Sequence, residues 1–160
     1  MINIPHPVVM AKTLRSNFKQ LIKSWYIFFI QLPYIPEFVI RLNNFFMLWH
    51  AMDGTAIEKT FKKEEELKYK ASWHQKGALQ SMLNWYRASR YRTVIIKGKI
   101  EIPVMILWGE NDRFLEKMMA KKSLEKCTNG ELKIIEGATH WVHHEKPTMV
   151  NNLIGEFLKK

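Results

Sequence analysis

Ile102-Pro103-Val104-Met105-Ile106-Leu107-Trp108-Gly109-Glu110-Asn111-Asp112 decides the fold. Its first half, 102–107, is a short apolar run without polar alternation. That pattern suits a strand covered on both faces, as in a parallel sheet flanked by helices. The run then breaks into a polar turn that ends on an aspartate. Downstream the pattern repeats. Residues 115–126 read as a helix, 132–135 as a second short strand, Gly137-Ala138-Thr139-His140-Trp141 as a loop, and 148–158 as a closing helix. Strand, loop, helix, strand, loop, helix is an α/β parallel unit. Functional side chains in open α/β sheets gather at the carboxyl ends of the strands, where Asp112 and His140 fall.

Upstream, Ile2-Asn3-Ile4 is an apolar stub stopped by Pro5-His6-Pro7, because proline has no ladder N–H and pushes its predecessor out of helical geometry. It reads as the end of a strand leaving a sheet. Residues 8–69 read mostly helical and aromatic-rich, with a break at Tyr34-Ile35-Pro36 and a turn at Asp53-Gly54-Thr55. A charged helix is expected from Thr60, with Glu64, Glu65 and Glu66 near its N-terminal half, where carboxylates suit the helix dipole. A further helix is expected over Gly77–Arg90, with Leu79, Met82, Leu83 and Tyr86 on one face.

The 160 residues hold one ordinary domain or a piece of a larger one; 47% are apolar and 25% charged, so wholesale disorder is excluded. A single cysteine, Cys127, excludes an internal disulfide framework and a cysteine-rich zinc module. The net charge of +10 is scattered rather than striped, which fits a solubilising surface better than a nucleic-acid or anionic-membrane footprint. The start has no cationic segment leading into an apolar one, so no signal peptide is expected. The most apolar stretch, 24–40, is interrupted by Gln31, Pro33, Pro36 and Glu37 and is too broken to span a bilayer. A buried or substrate-lining segment is expected there, with contact at a membrane surface as the alternative; the compartment stays open between cytoplasm and membrane surface.

Only two aspartates occur, Asp53 and Asp112. A carboxylate beside an imidazole fixes its tautomer and stabilises the imidazolium, so Asp112 and His140 together suit general-base chemistry. The competing reading makes Asp112 a helix cap and His140 a plain loop residue. His140, His143 and His144 have metal-like spacing, but His140 falls in a loop, the other two in a following helix, and no third ligand type completes a set. No metal or cofactor is expected. Trp25, Tyr26, Phe28 and Phe29 form one aromatic cluster and Trp85-Tyr86 another. Such residues are usually core, yet a buried phenol can donate to a developing alkoxide.

NIPHP at 3–7, WYIFFIQLPYIPE at 25–37, GALQSMLNWYR at 77–87, IPVMILWGENDRFL at 102–115 and GATHWVHHEKPTMVNNLIGEFL at 137–158 occur in that order. Together they resemble the epoxide hydrolase branch of the α/β-hydrolase family, with haloalkane and haloacetate dehalogenases as cousins. The resemblance implies a partial α/β-hydrolase fold: 1–7 ending a core strand, 8–97 a helical cap region, and 98–160 the C-terminal part of the core. It implies His140 as the water-activating base, Asp112 as its acid and Tyr86 as the cap tyrosine that hydrogen-bonds the epoxide oxygen. Tyr26 matches a second cap tyrosine more weakly, and Trp25, Trp85 and Trp141 are expected to line a small apolar substrate. The family's nucleophile is a glycine-flanked aspartate. Asp53, in MDGT, lacks that flanking pattern, and no serine lies in G-x-S-x-G. The expectation is therefore a truncated, epoxide-hydrolase-like chain, inactive alone and prone to dimerise or associate through an exposed sheet edge. The other readings are a non-catalytic module that holds an apolar ligand, or a dehalogenase-type hydrolase.

Overall fold

The computed structural model describes residues 1–89 and 98–159, which form two compact units: 1–23 with 98–159, and 24–89. The end of the expected 77–90 helix and the residue before the expected 97/98 boundary lie outside the described residues.

In the first unit, β1 (Val104–Gly109) and β2 (Gly130–Ile135) pair in parallel, Val104 opposite Gly130 and Gly109 opposite Ile135. The N-terminal stub lies on the other side of β1: Ile2 bridges Leu107 in parallel, and Asn3 N–H donates to the Leu107 carbonyl at 2.9 Å. The unbroken apolar run of β1 follows from its surroundings. Ile106 and Trp108 face a cluster with Val9, Leu115, Met119 and Ala120, while Met105 and Leu107 face Ile135, Ala138, Val142 and Val150. With both faces covered, no position is left for a polar side chain. The helices are α1 (Pro7–Ser16), α2 (Phe18–Lys23), α7 (Met118–Leu124), α8 (Val142–Glu145) and α9 (Pro147–Leu158). Residues 8–23, expected with the helical cap region, lie in this unit, where Val9 packs against α7 through Met119 and Ala120.

Several boundaries differ from expectation, among them the end of α7 at Leu124 and the start of β2 at Gly130, and two others have an identifiable cause. The strand begins at Val104 rather than Ile102, because Pro103 cannot donate to a ladder and Ile102 is exposed. The helix expected from Leu115 begins at Met118. One carboxylate oxygen of Asp112 takes the N–H groups of Phe114 and Leu115 (2.8 and 2.9 Å), and the Gln20 side chain takes that of Glu116 at 2.8 Å, so these residues form a side-chain-closed turn.

The second unit contains α3 (Trp25–Ile30), α4 (Ile35–Asp53), α5 (Lys63–His74) and α6 (Ala78–Ala88). Ile30, Ile40, Phe45, Trp73, Leu79 and Leu83 make its core. Leu79 and Leu83 are the buried members of the predicted α6 face, and Met82 lies toward its rim. Helix α4 is kinked where Asn43, Asn44 and Phe45 adopt left-handed geometry (φ 48°, 54° and 59°). Asparagine tolerates that region; Phe45 is held there by burial against Trp73 and His74. Helix α5 starts three residues after Thr60, because Thr60 closes a turn on Ile57 and the Glu65 carboxylate caps the Lys62 N–H at 2.9 Å.

Candidate active site

Asp112 stands three residues past the end of β1 and is buried; His140 lies in the loop after β2. Parallel pairing of the two strands puts both loops at one sheet end, and His140 Nδ1 meets Asp112 Oδ2 at 2.9 Å. The other oxygen, Oδ1, accepts the Phe114 and Leu115 amides. One oxygen thus closes a turn and the other pairs with the imidazole; Asp112 does not cap a helix, because α7 begins only at Met118. A carboxylate only accepts, so the proton sits on Nδ1, and Nε2 carries the lone pair. That is the tautomer a water-activating base needs. The His140 side chain is 27% accessible, and its ring packs edge-on against Phe114 and Trp141 at centroid distances of 5.0 and 5.2 Å.

Residues that sequence reasoning missed build this geometry. Gly109 ends β1 against the His140 loop so closely that a Cβ there would lie 1.9 Å from the Thr139 carbonyl oxygen. Glu145 grips that loop from α8, its carboxylate accepting the Thr139 N–H and hydroxyl. Asn3 donates from Nδ2 to Asp112 Oδ2 (2.7 Å) and to the Thr139 carbonyl (3.1 Å), and accepts the Gly109 N–H at 2.8 Å. Its sequence signal was a lone polar residue between two apolar ones in a strand stub.

In the second unit, the Tyr26 and Tyr86 rings meet edge-to-face at 6.0 Å, and burial pushes the Tyr86 phenol above its ordinary pKa. Trp85 stands edge-on to Tyr86, yet Trp85 and Trp25 are 71% and 58% exposed, as surface rather than core residues. Arg87 anchors this end of α6. It forms two hydrogen bonds with the Glu37 carboxylate (2.5 and 3.0 Å) and donates to the carbonyls of Ile30 and Leu32. That guanidinium holds the Glu37 carboxyl below the usual glutamate range. Among the described residues there is no cluster of three or more His, Cys, Asp or Glu side chains that could hold a metal, and no helix is long and apolar enough to cross a membrane.

No family model matches the chain. It is 43% identical to the AB hydrolase superfamily protein YfhM of Bacillus subtilis over 99% of its own length and 56% of that protein. It is 34% identical to epoxide hydrolase 4 of Homo sapiens, spanning all of this chain and 46% of the relative. A solved structure of the Bacillus megaterium epoxide hydrolase in complex with an inhibitor superimposes with a TM-score of 0.80 at 26% identity, covering 99% of this chain and 59% of the other. The chain thus spans about half the length of the curated relatives it matches. Its parallel strands, flanking helices and carboxyl-end loops make up part of an α/β-hydrolase fold. Within that fold, the chain is similar to the epoxide hydrolases.

Proposed function

We propose that this chain carries the acid, the base and the cap tyrosines of an epoxide-hydrolase-type enzyme acting on small apolar epoxides. The observation that carries the reading is the 2.9 Å contact between His140 Nδ1 and Asp112 Oδ2 at the ends of parallel strands, in a chain similar over its whole length to epoxide hydrolases. In the reaction, a carboxylate attacks an epoxide carbon and the C–O bond breaks. The ring oxygen takes the Tyr86 phenol proton, with Tyr26 as second donor, and an ester forms. His140 Nε2 then removes a proton from water, whose oxygen attacks the ester carbonyl. The ester C–O bond breaks, the leaving alkoxide takes the imidazolium proton to give the diol, and the regenerated carboxylic acid returns its proton to the Tyr86 phenolate, which restores the carboxylate, the base and the phenol. Asp112 stabilises the imidazolium formed on the way. Trp141 and Phe114 keep the base ring in an apolar setting.

The nucleophile is outside this account: Asp53 and Asp112 are the two aspartates of the sequence, and neither is glycine-flanked on both sides. The 160-residue polypeptide by itself is expected to give no turnover. The reading assigns no nucleic-acid partner. Contact with a membrane surface would fall to exposed aromatics such as Tyr34 and Phe38.

A chimera tests the reading. This chain replaces the matching portion of the Bacillus megaterium enzyme, and diol formation from styrene oxide is measured. Turnover that falls by several powers of ten in His140→Ala, and at least tenfold in Tyr86→Phe, supports it. A folded chimera whose turnover is indifferent to His140→Ala overturns it.

A further inference from the structure

We propose that Asn3 is the positioning residue that sets the acid loop and the base loop against each other, an inference that rests on the acid–base reading of Asp112 and His140. Asn3 belongs to neither loop. It sits where the N-terminal stub leaves the sheet, 4% exposed, with φ at 41°, a left-handed conformation that asparagine adopts more readily than most side chains. Its backbone is tied to β1 through the Leu107 carbonyl. Its amide then reaches three separate groups: the Gly109 N–H at the strand end, Asp112 Oδ2 and the Thr139 carbonyl next to His140. The Gly109 contact sets the amide orientation, because an N–H needs an acceptor and only Oδ1 can supply it.

The carboxylate of Asp112 consequently has four donors: two backbone amides on Oδ1, and Asn3 and His140 on Oδ2. Four donors fill its lone-pair sites and hold its plane. Remove Asn3, and Oδ2 is tethered by His140 alone, the partner it is meant to orient. The Thr139 carbonyl also loses a donor, so the base loop is then held mainly by Glu145 and the backbone. Other titratable groups near the pair are Lys23, whose ammonium reaches the Asp112 backbone carbonyl at 3.4 Å, and His143, held below its ordinary pKa first by burial and then by the neighbouring histidines. Neither touches Oδ2.

The test is proton NMR of the 160-residue chain, following the low-field His140 Nδ1–H resonance and its exchange with solvent, beside the melting temperature. Asn3→Ala removes all three amide contacts. Asn3→Asp keeps an acceptor for the Gly109 N–H and tolerates the left-handed backbone, but replaces the donor to Asp112 with a like charge. Both variants are expected to speed Nδ1–H exchange at least tenfold. Unchanged exchange in Asn3→Asp, or in an Asn3→Ala chain that melts lower but stays folded, would make Asn3 a merely structural residue and overturn the proposal. Asp112→Asn in the parent separates this from the reading beneath it. If that change leaves the Nδ1–H resonance untouched, the acid–base pair itself is wrong, whatever the Asn3 variants do.

Discussion

Replacing Gly109 with alanine tests whether the strand end and the base loop are packed as tightly as the active-site geometry requires. The added Cβ would lie 1.9 Å from the Thr139 carbonyl oxygen, 2.8 Å from its carbon and 2.9 Å from the Ala138 oxygen. All three are backbone atoms, so no side-chain rotation relieves the contact. A Cβ comes no closer than 3.0 Å to a neighbour, so the loop or strand must give by about 1.1 Å, the difference between 3.0 and 1.9. That movement strains the Asn111 N–H bond to the Ala138 carbonyl (2.8 Å) and the Glu110 N–H bond to the Ile135 carbonyl (3.1 Å). Overpacking usually costs about 1–3 kcal/mol; with rigid backbone on both sides, a loss of about 3 kcal/mol is expected here. The same shift displaces His140, one residue from Thr139, and a misplacement of about 1 Å costs roughly a hundredfold in a positioned reaction. Urea unfolding at pH 7 reads the stability, and the epoxide-hydrolase chimera reads the rate. The control is Gly155→Ala on α9, where an added Cβ meets nothing within 4 Å. It is expected to stabilise by about 0.5–1 kcal/mol, because alanine suits a helix better than glycine. A Gly109→Ala chain within about 0.5 kcal/mol of the parent would show that the close approach is slack.

Three other outcomes are expected. Breaking the Arg87–Glu37 pair with Arg87→Met should destabilise by about 2–4 kcal/mol at pH 7, since it strands a carboxylate that is 14% exposed. Because Glu37 titrates below its ordinary value of about 4.3, the pair's contribution is present above that pH and fades as pH falls through the lower folded value. A cycle of Arg87→Met, Glu37→Gln and the double variant, read by urea unfolding, should show coupling above about 1 kcal/mol; additive changes would refute it. His6 is buried, caps α1 through Nδ1, and is held below its ordinary pKa first by burial and then by Lys126. Its unfolded form therefore binds a proton first, so stability should fall as pH drops below about 6.5. Melting curves of His6→Asn, which keeps a capping acceptor, should lose that component, and an unchanged slope would exclude His6 as its source. An apolar groove of about 330 Å³ lies between the stub, β1 and α9, lined by Met1, Ile2, Val104, Met105, Ile154 and Phe157. An apolar groove of this kind is expected to drive self-association; sedimentation velocity should show larger species that Phe157→Glu disperses, and a concentration-independent monomer would refute this.

Much of the molecule was legible before any coordinates. The run over 104–109 is apolar at every position before its closing glycine, and only a strand covered on both faces accommodates that. Asp112 and His140 were readable because they follow strand-like runs, and parallel pairing forces such loops to one end. The interruption before α4 was readable near Pro36, which stands in the first turn of α4, and the end of α4 was readable at Asp53-Gly54, because backbone chemistry acts locally. Three-dimensional contact decided the rest. The Asp112 carboxylate that diverts the Leu115 amide is local, but the Gln20 amide oxygen that diverts the Glu116 amide lies 96 residues away, and nothing in the sequence near Glu116 announces it. The left-handed turn at Asn43–Phe45 interrupts an apolar helical pattern because burial of Phe45 against Trp73 and His74 outweighs local propensity. Asn3 looked like a polar accident in a short strand. Its role exists only because a parallel sheet brings residue 3 beside residues 109, 112 and 139, and a buried amide must find partners wherever folding puts them.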